Sequence, residues 1–238
     1  MLQVQKVSKS FGGLRAINQV SFQLQEGEIL GLIGSNGAGK TTLFNLITGF
    51  LKPDEGHIYF RNQDITGLKP HKICHLGIGR TFQVVKPLSG LTVLENIAIG
   101  ALLRHNDYKE ARAEAVSIAR ELGLASKADE IAAEIPIADK KRLGFAQALA
   151  TGARLVLLDE VVAGLNPAEI DNLLDIIRRV AAKGLTIIMV EHVMKAVMNI
   201  ATRILVLDYG GLIAQGSPEE VASDEEVIKV YLGEKYEF

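Results

Sequence analysis

The stretch that decides the fold runs from residue 29 to residue 42 and reads Ile29-Leu30-Gly31-Leu32-Ile33-Gly34-Ser35-Asn36-Gly37-Ala38-Gly39-Lys40-Thr41-Thr42. Its first five residues are a near-continuous apolar run, which predicts a strand buried on both faces of a sheet. Residues 34–41 match the pattern G-x-x-x-x-G-K-[ST] in full, and a helical pattern follows from Lys40 to about Phe50. Because this motif requires a strand before it and a helix after it, the flanking patterns support its assignment as a phosphate-binding loop.

The residue types in this loop explain its chemistry. Glycines let the backbone curl so that successive N–H groups face phosphate oxygens, and the positive end of the following helix attracts the same anion. We expect Lys40 to reach the β- and γ-phosphates of ATP, and the hydroxyl of Thr41 to bind Mg²⁺. The other nucleotide contacts expected from the loop are Gly34, Ser35, Asn36, Gly37, Ala38, Gly39 and Thr42.

A second apolar run, Leu155 to Leu158, predicts another fully buried strand, and two acidic residues follow it directly. Asp159 is placed to hold the water shell of a metal ion, and Glu160 to polarise the water that attacks phosphate. An Asp-Glu pair after an apolar run is common in proteins. The assignment therefore depends on the complete phosphate loop earlier in the chain.

The remaining patterns predict an α/β fold. Residues 2–7 and 20–24 alternate apolar and polar side chains, as half-buried antiparallel strands do. Asn166 followed by a proline and then a glutamate predicts the start of a helix, and 186–190 and 203–207 read as two further strands. Strands that alternate with helices favour a mostly parallel sheet with crossover connections.

Between residues 87 and 150 the pattern becomes helical. Apolar residues fall on one helix face with Lys, Arg and Glu opposite: Tyr108, Ala111, Ala115, Ile118, Ala119 and Leu122. We therefore expect one domain, 1–238. Residues 1–86 and 151–238 would form an α/β core with an N-terminal antiparallel part, and 87–150 an inserted helical subdomain.

Composition excludes several classes of protein. The formal net charge is −2 and the basic residues form no dense block, which argues against nucleic-acid binding. The single cysteine, Cys74, rules out an internal disulfide and suits a reducing compartment. The N-terminus has no apolar core typical of a signal peptide, and no apolar run is long enough for a bilayer. We expect a soluble, cytoplasmic chain whose membrane role would come through a partner.

The order of the motifs resembles the ATP-binding-cassette (ABC) ATPases over nearly the whole chain. That resemblance implies a P-loop NTPase (RecA-like) core, and it gives roles to residues that no pattern explains alone. Phe11 matches the aromatic residue that stacks on adenine, and Gln83 matches the Gln loop, which touches Mg²⁺ and signals to the membrane partner. His192 matches the switch histidine near the γ-phosphate, and 163–167 match the D-loop at a dimer interface.

Within these ATPases, residues 11–16, 40–49, 80–83 and 163–167 resemble the subunits of branched-chain amino-acid importers. The ending, 227–234, also resembles the ATPase of the lipopolysaccharide exporter, which stays open as an alternative. The resemblance implies separate permease subunits, a second cassette subunit and, indirectly, a solute-binding protein. It places the chain on the inner face of the cell membrane. Soluble cassette ATPases of DNA repair or translation usually carry two cassettes, a long coiled coil or a basic surface, and this sequence shows none of these.

One motif of the family is degenerate. The signature Leu-Ser-Gly-Gly-Gln, which contacts ATP bound to the other subunit, aligns with Ile135-Pro136-Ile137-Ala138-Asp139. Pro136 has neither a hydroxyl nor an N–H group, and Ala138 adds a Cβ where backbone should approach phosphate. We expect Asp139 to be the N-cap of the following helix. A regulatory cassette with impaired hydrolysis and a pairing with a paralogue that has an intact signature both remain open.

Overall fold

The computed structural model describes residues 1–232, and the side chains of residues 1–230. The strands are β1 (Leu2–Phe11), β2 (Leu14–Leu24), β3 (Ile29–Gly34), β4 (Glu55–Phe60), β5 (Gln63–Asp64), β6 (Ile78–Arg80), β7 (Leu155–Asp159), β8 (Thr186–Val190), β9 (Arg203–Asp208) and β10 (Gly211–Gly216). The α-helices are α1 (Lys40–Ile47), α2 (Pro70–Leu76), α3 (Val93–Ala101), α4 (Tyr108–Glu121), α5 (Ile137–Ala150), α6 (Pro167–Ala181), α7 (Met194–Ile200), α8 (Pro218–Ala222) and α9 (Glu225–Val227). The end of the 227–234 stretch, Gly233 and Glu234, lies outside the described residues.

The chain divides into two compact units. One contains Met1–Ile73 and the chain from Ile188 onward, and the other contains Cys74–Ile187. The chain passes from the second unit back to the first within β8.

The first unit contains the antiparallel sheet, with strand order β2-β1-β4-β5. Val4 of β1 lies opposite Phe22 of β2 and Ile58 of β4, and all three side chains are buried. The alternating residues beside them, such as Gln5, point to solvent. The predicted antiparallel part is therefore confirmed, and its period of two separates a core face from a wet face.

The same unit holds three strands of the second sheet. β3 is parallel to β9, and β9 is antiparallel to β10. Every residue of β3 is buried, as its apolar run predicts. Helix α7 packs closely on this strand, since a Cβ added at Gly31 would lie 2.5 Å from Cγ1 of Val197. Glycine at this position lets the helix approach the sheet.

In the second unit β6 is parallel to β7, and helices α3 to α6 accompany them. On α4, Ala111, Ala115, Ile118 and Ala119 are buried, as the helical spacing predicts, whereas Tyr108 in the first turn is exposed. Asn166 caps α6 in a full capping box with Glu169. The expected α/β class, with a mostly parallel sheet and a separate antiparallel sheet, is confirmed.

Helix α1 is shorter than its sequence pattern indicates. It ends at Ile47 with Thr48 as C-cap, before Phe50. Gly49 follows with a φ of 75°, the left-handed conformation that ends many helices. Among residues 1–232, no helix is both long enough and apolar enough to cross a membrane.

Candidate functional site

The phosphate loop of the first unit lies where the sequence places it, between β3 and α1. Gly39 is the N-cap of α1 with a φ of 103°, and a Cβ there would lie 2.5 Å from the carbonyl oxygen of Ala16. Glycine is therefore required on both conformational and steric grounds. No side chain caps α1, and its first turn contains no acidic residue. The N–H groups at this helix end are thus oriented for an anion, not for a side chain of their own.

Lys40 is the cation of this loop. The residue is only 6% exposed, and Nζ donates to the carbonyl oxygens of Gly34 at 2.7 Å and Ser35 at 2.9 Å. Burying an ammonium group is costly unless anionic or polar partners surround it. Gly37, with a φ of 86°, has nothing within 4 Å of its Cβ position, so there is open space over the loop. A buried cation, an uncapped helix end and this space fit the phosphate groups of a nucleotide.

The remaining residues assigned to the loop differ in their exposure to solvent. Ala38 is buried, Thr42 is half-buried, and Asn36 and Thr41 are exposed. Ser35 donates its hydroxyl to Oδ1 of Asp208 at 3.2 Å, which anchors the loop to the end of β9. Thr41, the proposed metal ligand, is therefore accessible to solvent.

Two other predicted residues belong to the first unit. Phe11 ends β1 at the hairpin turn, with 46% of its surface exposed, and Nζ of Lys9 lies 5.7 Å from its ring centroid. An exposed ring with a cation beside it suits stacking on an aromatic base. His192 follows β8 with an exposed side chain, after the buried Glu191.

The second unit brings Gln83 and Glu160 together. Because β6 and β7 are parallel, with Arg80 opposite Leu157, their carboxyl ends lie at the same edge of the sheet. Nε2 of Gln83 donates to Oε2 of Glu160 at 2.6 Å. The amide thus holds in place the carboxylate that we expect to activate water.

Asp159 is held by residues that the sequence reading did not single out. Arg80 donates to Oδ2 of Asp159 at 2.8 Å, and both side chains are only 8% exposed. The hydroxyl of Thr81 accepts from the backbone N–H of Asp159 at 3.0 Å. The sequence signal was present, since Arg80 and Thr81 lie within three residues of Gln83, but only strand pairing reveals their partner.

Glu160 has an unusual backbone conformation. Its φ is 48°, in the left-handed region that non-glycine residues seldom adopt. Such conformations persist only where the surroundings hold them, and they cluster at active sites. This outlier supports a functional role for Glu160.

The degenerate signature lies at the start of α5. Pro136 occupies the N-cap position and makes no side-chain cap. The expectation that Asp139 caps this helix is therefore wrong. Asp139 lies inside the first turn. Its carboxylate is 3.0 Å from Nη1 of Arg142, because residues three apart are neighbours on a helix surface.

Comparisons with known proteins establish the family. A family model described as ABC transporter matches residues 17–163, more than half of the chain. LivG of Salmonella typhimurium, named a high-affinity branched-chain amino acid transport ATP-binding protein, is 39% identical over 98% of each chain. This chain belongs to the ABC transporter family. A second model, described as branched-chain amino acid ATP-binding cassette transporter, matches residues 212–237 of the cassette.

Solved structures agree. The cassette superposes with a TM-score of 0.89 on a nucleotide-free ATP-binding cassette from an ABC transporter, 33% identical, covering 98% of this chain and 99% of that one. It matches an ADP-bound cassette with a TM-score of 0.89 and 34% identity over the same shares. The expected P-loop NTPase core is confirmed. As a member of this family, the cassette is an ATPase that binds nucleotide.

Proposed function

We propose that this cassette is the ATP-hydrolysing subunit of an importer for branched-chain amino acids or similar small polar solutes. The observation that carries the proposal is the full-length similarity to proteins named for that transport. The match of residues 212–237 to a branched-chain amino-acid model favours the importer over the lipopolysaccharide exporter for the ending of the chain.

The residues of the cassette take separate roles toward ATP. The ammonium of Lys40 binds the β- and γ-phosphates, and the ring of Phe11 stacks on adenine. Glu160 accepts a proton from the attacking water, and His192 contacts the γ-phosphate. The polarity, charge and exposure of each side chain support these roles.

Thr41, Gln83 and Asp159 are the proposed magnesium ligands. A hydroxyl, an amide carbonyl and a carboxylate are the oxygen donors that Mg²⁺ prefers. When bound, Mg²⁺ neutralises negative charge that develops on the phosphates during transfer. The buried ion pair with Arg80 orients the carboxylate of Asp159.

We further propose that residues 87–150 form a helical subdomain inserted in the α/β core of 1–86 and 151–238. Permease subunits would dock beside it, near residues 84–91, where Val84 and Leu88 expose apolar side chains. The partners are those permeases, a second cassette subunit with an intact signature and, indirectly, a solute-binding protein. The cassette would lie in the cytoplasm against the inner face of the membrane, with no nucleic acid involved.

The test is ATP-dependent uptake of labelled leucine into proteoliposomes that contain the cassette, its permeases and the second cassette, with the solute-binding protein supplied. We expect uptake with the unmodified chain and loss with Lys40→Ala, which removes the cation facing the phosphates. Lys52→Ala removes an exposed lysine of the same unit and is the matched control. No leucine, isoleucine or valine uptake by an assembled complex that hydrolyses ATP would contradict the proposed substrate. Unchanged ATP affinity in Lys40→Ala would contradict the proposed phosphate site.

A further inference from the structure

Lys141 is a buried cation in the second turn of α5. Its residue is only 4% exposed, although lysine is rarely buried in proteins. An ammonium group taken out of water requires hydrogen-bond acceptors. The acceptors identify what this lysine does.

Two of those acceptors belong to the pair of residues assigned to hydrolysis. Nζ of Lys141 donates to the carbonyl oxygen of Gln83 at 3.0 Å and to that of Glu160 at 2.8 Å. The side chains of the same two residues are bonded to each other at 2.6 Å. Gln83 and Glu160 are thus joined twice, through their side chains and through one ammonium group that holds both backbones.

The geometry points to Lys141 as a positioning residue for ATP hydrolysis, which fixes the backbones of Gln83 and Glu160 to helix α5. This inference rests on the proposed role of Glu160. Both of these hydrogen bonds are made to backbone carbonyl oxygens. Lys141 acts by holding the peptide unit from which the carboxylate of Glu160 projects.

The conformation of Glu160 explains why such a support is needed. Its φ of 48° is less favourable than the ordinary helical or extended regions, so the backbone would relax if nothing held its carbonyl group. A charge-assisted hydrogen bond to that carbonyl opposes the relaxation. Hydrolysis is sensitive to such relaxation, because a displacement of about 1 Å of a catalytic group can lower the rate about a hundredfold.

The same contact links the hydrolytic carboxylate to the signature segment. Helix α5 begins directly after Pro136, and Lys141 lies one turn further along it. A shift of α5 therefore moves the backbones of Gln83 and Glu160 together, because Lys141 is bonded to the carbonyl oxygen of each. In this way the helix that carries residues 135–139 controls where Glu160 points.

The test compares Lys141→Met with Lys140→Met in the complex assembled with permeases and the second cassette. Methionine keeps the length of the side chain and removes the donor. Lys140, the preceding residue on α5, is half-exposed and provides a control for the loss of one positive charge. We expect Lys141→Met to lower kcat about ten- to a hundredfold, with KM and ATP affinity near the unmodified values, and Lys140→Met to change little.

Three further measurements separate positioning from packing. Amide hydrogen exchange on the full chain should accelerate around residues 83–86 and 160–163 in Lys141→Met only. Lys141→Arg, which keeps charge and donors, should recover part of kcat. Adding Lys141→Met to Glu160→Gln should lower kcat no further, because both changes act through one carboxylate.

The inference is overturned if Lys141→Met keeps the unmodified kcat or if Lys141→Arg is as impaired as Lys141→Met. It is also overturned if adding Lys141→Met to Glu160→Gln lowers kcat by the same factor as Lys141→Met alone. Failure of the proposed function would give a different result. In that case Glu160→Gln itself would hydrolyse ATP at the unmodified rate.

Discussion

At the scale of single residues, Glu160 follows Asp159, which we propose as a metal ligand. It also has the Gln83 amide as a partner and a left-handed backbone. Replacing it by glutamine keeps its shape but removes the group that accepts a proton. We expect Glu160→Gln to lower hydrolysis in the assembled complex about 10²- to 10⁴-fold while ATP binding persists. Steady-state turnover and nucleotide titration measure the two effects separately.

Glu134→Gln, an exposed change in the same unit, is the control for this variant. A Glu160→Gln complex that turns over ATP as fast as the control would remove the role assigned to this carboxylate.

At the scale of elements, features set by residues close together in the chain could be predicted from sequence, whereas contacts between distant residues could not. The cap of α6 was predictable because Asn166, a proline and Glu169 are adjacent in the chain. The start of α5 was misassigned because Asp139 resembles a cap, although the N-cap position belongs to Pro136. The bond between Arg80 and Asp159 joins residues far apart in sequence, so only the pairing of β6 with β7 reveals it.

The phosphate loop and the acidic pair could be located from sequence because the residues of each are adjacent in the chain. Each is a contiguous motif with its flanking strand. Lys141 was missed because nothing near it in the chain distinguishes it from the neighbouring Lys140. Its role depends on tertiary contacts with Gln83 and Glu160.

The cap of α3 gives a prediction about pH. Hydrogen bonds from the backbone and side chain of Thr92 hold the pKa of Glu95 below its ordinary value. A folded-state pKa below the unfolded one means that the ionised carboxylate stabilises the fold above the unfolded pKa. This stabilisation is lost as pH falls through the folded pKa.

Glu95→Gln should therefore lower the melting temperature at pH 7, and the difference should shrink between about pH 5 and pH 3. Thermal unfolding of both chains over this range measures it, with Glu134→Gln as the control. A difference that is constant with pH would show that the charge of Glu95 does not contribute.

At the scale of the whole molecule, the cassette has one complete and one degenerate part of its nucleotide-binding motifs. It carries a full phosphate loop and Glu160, but the segment that its family uses to contact ATP on the other subunit is reduced to Ile135-Pro136-Ile137-Ala138-Asp139. Paired with itself, the chain would offer no normal signature contacts. Each missing charge-assisted hydrogen bond costs about 1.5–3 kcal/mol, or roughly ten- to a hundredfold in rate. We therefore expect the purified chain to be a poor ATPase, and a paralogue with an intact signature to complete its activity.

Restoring the signature should not disturb the fold. A serine at Pro136 occupies the N-cap of α5, where its hydroxyl can accept from the first turn and add about 1 kcal/mol. Ala138→Gly in that turn lowers the stability of the helix by about 1 kcal/mol, because glycine is a poor helix former. The two changes offset each other, so any gain in activity reports on contacts with nucleotide.

The decisive measurement is the steady-state ATPase rate of the chain purified alone, with and without Pro136→Ser and Ala138→Gly together. We predict a low rate for the unmodified chain and a gain of about tenfold or more in the double variant. Adding Glu160→Gln to the double variant should abolish that gain. Brisk turnover by the unmodified chain, no gain in the double variant, or a gain that survives Glu160→Gln would contradict the account.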